Sequence, residues 1–336
     1  MSLDDFGAAL PRPRPDLIPA LTPLLVALVA APFVGSASSF VTLTAAALAM
    51  GMMIFTMASG LTLAFGMMDV LNFGHGAFIS LGAYVATLVF LPLASWANAD
   101  SWPINLALLG LALAVAVVVC GGVGLVFERL IIVPVYGQHL KQILATIGGS
   151  IVAEQLLYAL FGPDEIALAP PASFRGAFVL GDAAIEKYRV VATLIGLVVF
   201  VGLTLTLNRT KIGLLIRAGV QDREMVEALG YRIDRLFVGV FMTSAALAGL
   251  GGVLWALYRE QVHASMGGEL LVLCFIVVIV GGLGSVGGCF IGAVLVALID
   301  NYVGFLAPKL ALVSNLLLMV VVLLWRPRGL YPVGGR

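Results

Sequence analysis

The residues that could do chemistry in this 336-residue chain sit in four places, each set within or beside apolar sequence. The first is Asp69-Val-Leu-Asn-Phe-Gly-His-Gly76, where Asn72, Phe73, Gly74, His75 and Gly76 place two glycines around an imidazole. Glycine permits close backbone approach and dihedrals that other residues avoid. The stretch therefore reads either as a gate or pathway lining near the cytosolic side, or as a capped turn. In the second case Asn72 caps the next helix and a backbone carbonyl holds His75. The second place is Gly281-Gly-Leu-Gly-Ser-Val-Gly-Gly288, containing Gly281, Gly282 and Gly284. It is superficially like a phosphate loop, but a Walker A motif needs Lys followed by Ser or Thr, and neither is present. Nucleotide binding by this chain is excluded on that ground, and a hinge or re-entrant turn between two short helices is expected. The third is Glu154, with Gln155 beside it, in an otherwise apolar run. An intramembrane carboxylate is a functional candidate by default; it either lines a pathway or fastens helices together. The fourth is the charged stretch 208–235.

Other reactive types form no site. His75, His139 and His263 fall in three different zones, so no metal cluster is expected, and Cys120, Cys274 and Cys289 lie in apolar stretches without ligand spacing. They read as small buried hydrophobes. No Ser/His/Asp set, paired-carboxylate cleft or cofactor loop occurs, so no enzyme activity and no bound cofactor are expected.

The elements that must position these residues are membrane helices. Apolar residues make up 61% and charged residues 11% of the chain, and its mean hydropathy is +1.11. A soluble domain carries roughly 25% charged residues. The net formal charge of +0 offers no field for nucleic acid. A spanning helix needs about 20 apolar residues. Suitable runs occupy 17–35, 40–67, 104–127, 140–161, 190–208, 236–257 and 309–325, with shorter ones at 76–91, 269–281 and 287–303. The expected fold is thus all-α, a polytopic transmembrane bundle of about 8–10 membrane segments, some broken or re-entrant. It comprises an N-terminal tail at 1–16, one membrane domain at 17–325 and a C-terminal tail at 326–336. The first residues lack the basic region and cleavage site of a secretory signal, so the first apolar run is expected to stay as an anchor.

With both termini cytosolic, 13 of the 18 Lys and Arg residues fall inside and 5 outside, as the positive-inside rule requires. Residues 162–189 then form an external loop with a short strand or lid near Phe174–Leu180, and 209–235 an internal one. Within the internal loop, Ile216 to Leu229 is helix-compatible. Val220, Met225, Val226 and Leu229 offer a weak apolar stripe, and Gly230 stands at a C-cap position. Such a helix either docks a partner or lies against the bundle as a connector.

Residues 60–86 (G-L-T-L-A-F-G-M-M-D-V-L-N-F-G-H-G-A-F-I-S-L-G-A-Y-V-A) resemble the N-terminal signature of the branched-chain amino-acid ABC permeases. So do Arg217-Ala218, Glu227-Ala228-Leu229-Gly230, Gly249-Leu-Gly-Gly252, the run 281–288 and Trp325-Arg-Pro-Arg-Gly-Leu330. The likeness covers roughly residues 40–331 and is nearer to the LivH-type than the LivM-type subunit. It implies a bacterial inner-membrane permease that pairs with a second, homologous permease subunit. Two cytosolic ABC ATPase subunits, which bind ATP and Mg, and a periplasmic substrate-binding protein complete the importer. It further implies that 217–230 is the ATPase-coupling element, including Arg217, Ala218, Arg223, Glu224, Glu227, Ala228, Leu229 and Gly230, and that 72–76 lines the pathway or gate. Branched-chain amino acids are the expected substrates, with urea and short amides the alternative because their permeases share these motifs. Met266 departs from the family, which commonly has proline before Gly267, so a differently shaped outer loop is expected at 258–268. That loop, with 92–103 and 162–189, is where the binding protein would dock. The rival of an ion-coupled secondary transporter predicts an internal inverted repeat, which is not evident in the sequence.

Overall fold

The computed structural model describes residues 18–331. The expected tail at 1–16 and residues 332–336 lie outside the described residues. In chain order the helices are α1 (Ile18–Val34), α2 (Ala37–Met68), α3 (His75–Phe90), α4 (Ala94–Ala97), α5 (Trp102–Phe127), α6 (His139–Phe161) and α7 (Lys187–Arg209). They continue as α8 (Lys211–Gln221), α9 (Arg223–Ala228), α10 (Ile233–Arg259), α11 (Met266–Gly281), α12 (Val286–Leu306) and α13 (Pro308–Trp325). All ten expected apolar segments are helices. Six are long and apolar enough to cross a membrane: α2, α5 with its extension to Val135, α6, α7, α10 and α12. The others, α1, α3, α11 and α13, are shorter.

Two long helices form the centre. Helix α2 packs against α12, α10, α7 and α11, and α10 against α5, α2 and α3. Small residues let these backbones approach. A methyl added at Gly252 or Gly82 would strike the backbone of Ile79 or Gly249, and one at Gly251 would strike Met57. Gly110, Gly202 and Gly239 face open space instead. Helices α6 and α7 leave most of their apolar surface exposed, Leu160 and Val198 by more than two thirds. Those are faces for lipid or another chain.

Both central helices end in the same unusual way. Among the described residues, Asp69 (φ 53°) and Glu260 (φ 58°) are the non-glycine residues in the left-handed region, and each terminates a central helix, α2 and α10 respectively. After each, a short non-helical segment turns back into the bundle and a 16-residue helix starts, α3 and α11 respectively. The second residues of these two helices meet: a methyl on Gly76 would lie 2.6 Å from the Gly267 carbonyl oxygen, and one on Gly267 would collide with the Gly76 carbonyl. Ser80 fixes the crossing, donating to the Ala264 carbonyl (2.8 Å) and accepting from the Gly267 amide (2.9 Å). The next long helices complete the correspondence, α5 packing on α3 and α10 as α12 packs on α11 and α2. Helices α2–α3–α5 and α10–α11–α12 thus share a pattern of packing around two similar breaks. The residues that form the two breaks differ in sequence.

The segment after Glu260 also corrects the expectation of an outer loop at 258–268. Strand β4 (Gln261–Val262) pairs with β1 (Ile166–Ala167), and the Leu168 amide donates to the Glu260 carbonyl (2.9 Å). Beyond it Val262 and Ala264 are buried. The chain plunges inward rather than spreading over the surface. The Met266 amide donates to the His263 carbonyl (3.3 Å), a bond proline would lack. Within 162–189 a hairpin of β2 (Ala177–Leu180) and β3 (Ala183–Glu186) supplies the expected strand.

Candidate functional site

The break after α2 is a climb into the bundle. At the rim, Tyr136 donates to the Met68 carbonyl (3.1 Å), and Asp69 lies 3.8 Å from the His139 imidazole. Six residues later the His75 ring nitrogen Nε2 is 2.9 Å from the Met57 carbonyl. Met57 to Met68 is roughly 16 Å of helix at about 1.5 Å per residue. Helix α3 thus begins about half-way through the bundle.

The climb is held at each step. The Asn72 side-chain oxygen accepts from the Gly74 amide (2.9 Å), an Asx-type turn, and the Phe73 amide donates to the Thr146 hydroxyl of α6 (3.2 Å). The Phe73 ring meets Phe275 of α11 at 4.9 Å between centroids. Gly74 has no room for a side chain, since a methyl would lie 2.5 Å from the Phe127 ring. Asn72 and His75 are fully buried, with Asn72 Nδ2 and His75 Nδ1 lacking hydrogen-bond partners among the described residues. The backbone-carbonyl reading of His75 therefore describes its contact, while Asn72 caps a turn ahead of α3 rather than the helix itself.

The glycine run is a tight hairpin between α11 and α12. Gly282 (φ 106°) and Gly284 (φ 79°) adopt conformations that side chains resist. Gly281 and Gly288 leave no space for a methyl on either side, and Ser285 caps α12 by accepting from the Gly288 amide (3.1 Å). The stretch Trp325–Leu330 closes over this hairpin. The amides of Leu330 and Tyr331 donate to the carbonyls of Val280 and Gly281, each at 2.9 Å, and Gly329 (φ 83°) lies against Gly282. Two motifs distant in sequence thus form one structure, with Leu330 buried in it.

The internal loop departs from the single helix expected over 216–229. Helix α8 starts earlier, capped by Thr210, and the chain becomes extended at Asp222 (φ −151°, ψ 96°). The reason is local: the Asp222 carboxylate accepts from the Met225 amide (2.9 Å), so it caps α9 instead of continuing α8. Helix α9 ends as expected at Gly230 (φ 86°). Its amide donates to the Glu227 carbonyl (2.9 Å) and that of Tyr231 to the Val226 carbonyl (3.3 Å), a Schellman closure. Val226 and Ile216 are buried anchors, Ala218 and Val220 are half-buried, and Met225, Leu229 and Tyr231 are exposed. Glu224, Glu227 and Ala228 are exposed as well. The Arg223 side chain lies outside what is described. Arg217 donates to the Leu207 carbonyl (2.8 Å) and to Asn208 (3.4 Å), tying α8 to the end of α7.

Three of the four sequence candidates converge. A cavity of roughly 860 Å3 opens at this rim, lined by Asp69 of the first break, Arg217 and Gln221 of α8, and Gly284 and Ser285 of the hairpin. An apolar pocket of roughly 260 Å3 lies between α2 and α11, lined by Leu61, Phe65, Leu71, Phe275 and Ile279 among others. Glu154 stands apart, half-buried on α6. The three cysteines are free and buried, and no cluster suited to a metal occurs among the described residues.

Two carboxylates escaped the sequence reading. Glu128 is buried in a π-helical turn (Glu128–Ile132) that continues α5, with Oε2 unpartnered among the described residues. Glu269 is exposed in the first turn of α11. The signal that could have found it was the shortness of the apolar run 269–281, which already suggested a helix starting inside the membrane.

Comparison with known proteins gives a consistent answer. The family described as "Branched-chain amino acid transport system / permease component" matches residues 43–324. Among curated relatives, the high-affinity branched-chain amino acid transport system permease protein BraD of Pseudomonas aeruginosa is 26% identical, covering 81% of this chain and 89% of the relative. LivH of Escherichia coli, described in the same words, has the same identity and coverage. LivM of Salmonella typhimurium is 27% identical over 93% of this chain and 74% of its own. No solved structure shows a significant match.

Proposed function

The chain belongs to the branched-chain amino acid transport permease family, and on that premise we propose that it is one membrane subunit of an ATP-driven importer. It pairs with a second, homologous permease in the bacterial inner membrane, with both termini cytosolic. Two cytosolic ABC ATPases bind and hydrolyse ATP with Mg, and this chain itself binds no cofactor. A periplasmic protein delivers leucine, isoleucine or valine.

The observation that carries this reading is the α8–α9 element. A short helix stopped at both ends, by Asp222 and by Gly230, is a rigid object. It holds Met225, Leu229 and Tyr231 out from the bundle while Val226 anchors it. Exposed apolar side chains among charges on a fixed helix suit a protein partner better than lipid or water. The cavity behind it reaches from Arg217 to Asp69 and Gly284. A push on α9 is thereby delivered beside the two breaks, which is how closure of the ATPases would become alternating access. Asn72, Phe73, Gly74, His75 and Gly76, with Gly281, Gly282 and Gly284, are the pathway or gate elements in this scheme. Glu154, on a largely exposed helix, serves either the pathway or a helix contact.

The test is ATP-dependent uptake of labelled leucine and of labelled urea into liposomes holding the co-purified complex and its binding protein. Leucine uptake that vanishes without ATP is expected. Urea uptake instead would keep the architecture and move the substrate, and leucine uptake without ATP would refute the importer reading. Charge reversal at Arg223 and Glu227 together is expected to weaken coupling; normal transport and normal ATPase association would remove the docking role.

A further inference from the structure

Helix α11 starts half-way through the bundle, because Gly267 touches Gly76 and His75 beside it reaches Met57. Glu269, two residues further on, therefore lies about 13 Å from the Met68 rim, counting roughly 16 Å up to His75 and back two residues at about 1.5 Å each. In a membrane whose hydrocarbon core is about 30 Å thick, that is close to the midplane. The side chain is exposed and has no hydrogen-bonding or ionic partner among the described residues. A carboxylate at that depth is costly against lipid and favours a watered path or a cation. The rest of the face is apolar: Val272 is exposed next to it, Phe275 and Ile279 are half-buried below, and Phe73 of the first break touches Phe275.

We propose that Glu269 is the station on the translocation face that takes the ammonium group of a zwitterionic amino acid in transit. Val272 and the Phe73–Phe275 pair receive its apolar side chain. The proposal rests on the permease reading above and deepens it. A carboxylate recognises the protonated amine and gives an uncharged amide no comparable contact, so this residue adds selectivity inside the membrane to that of the binding protein. The position suits a transient ligand. No described residue pairs with the charge, and the first turn of α11 stabilises it through the helix dipole.

The experiment uses the complete reconstituted complex with Glu269→Gln and Glu269→Asp, measuring the leucine dependence of ATP-driven uptake, ATPase activity and subunit composition. Loss of one charge-assisted contact predicts a roughly ten- to hundredfold rise in the leucine concentration for half-maximal uptake in Glu269→Gln. Glu269→Asp is expected to retain most of the affinity, with the subunit composition of the complex unchanged in both. Unchanged leucine dependence in Glu269→Gln would overturn the proposal. Loss of the second permease subunit from the purified Glu269→Gln complex would also overturn it, because the carboxylate would then be an interface ion pair. Wild-type complex that takes up urea and not leucine would remove the amino-acid reading itself, an outcome separate from either variant result.

Discussion

The crossing of α3 and α11 at Gly76 and Gly267 makes a quantitative prediction. A methyl on Gly76 would sit 2.6 Å from the Gly267 carbonyl oxygen and 2.8 Å from its carbon. Ordinary contact begins about 0.8 Å further out, so Gly76→Ala must push apart helices that the Ser80 hydrogen bonds hold together. Overpacking of that kind costs about 1–3 kcal/mol. Gly267→Ala meets the Gly76 carbonyl and, at 2.7 Å, the Ser80 hydroxyl, so its cost is similar. The two methyls ask for the same displacement. Once one has moved the helices, the second finds room, and the double variant should cost less than the sum by about 0.5–3 kcal/mol. Gly110→Ala is the control: it lies on exposed helix with nothing within 4 Å, and there alanine should stabilise by roughly 0.5–1 kcal/mol. Thermal unfolding of the purified complex in detergent reads all four proteins. Strict additivity, or a Gly76→Ala protein as stable as Gly110→Ala, would refute the reciprocal contact.

Two further outcomes follow from named contacts. Ser80→Ala removes a donor to Ala264 and leaves the Gly267 amide unpaired in the core; a stability loss of about 1–3 kcal/mol is expected in the same unfolding measurement. Gly230→Ala, with open space around it but φ at 86°, incurs a purely conformational cost of about 1–2 kcal/mol. ATP hydrolysed per leucine imported should therefore rise in Gly230→Ala and stay near normal in Gly230→Asn, a residue that tolerates the left-handed region; equal ratios in the two variants would contradict the rigid α9.

Much of this architecture is legible in residue type. Apolar run length located all ten helices because lipid demands it, and the glycines at 74, 76, 282 and 284 marked backbone that departs from a continuous helix. What stayed hidden depends on residues acting against type. Asp222 breaks the internal helix by turning its carboxylate onto the Met225 amide, and aspartate there is equally compatible with an exposed helical position. Glu260 adopts a left-handed backbone that would ordinarily call for glycine, so the descent of 261–265 carried no punctuation. The likeness of the two breaks was hidden for the same cause. Helices α3 and α11 share a length of 16 residues and a glycine at the second position, while the connecting residues are unrelated. The clamp of Gly329–Tyr331 over Gly281–Gly282 joins motifs some fifty residues apart, a pairing that spacing alone does not specify.

Burial of the cysteines has a practical consequence. Cys120, Cys274 and Cys289 show no accessible surface, so a membrane-impermeant maleimide added to intact protein has no native thiol to reach. The wild-type chain is in effect a blank background for labelling, without the cysteine-removal mutagenesis that commonly perturbs packed bundles. A single cysteine placed at exposed Leu229 beside α9, or at exposed Val179 in the β2–β3 hairpin, would report which side of the membrane it occupies. The pair would fix the orientation of every helix between them.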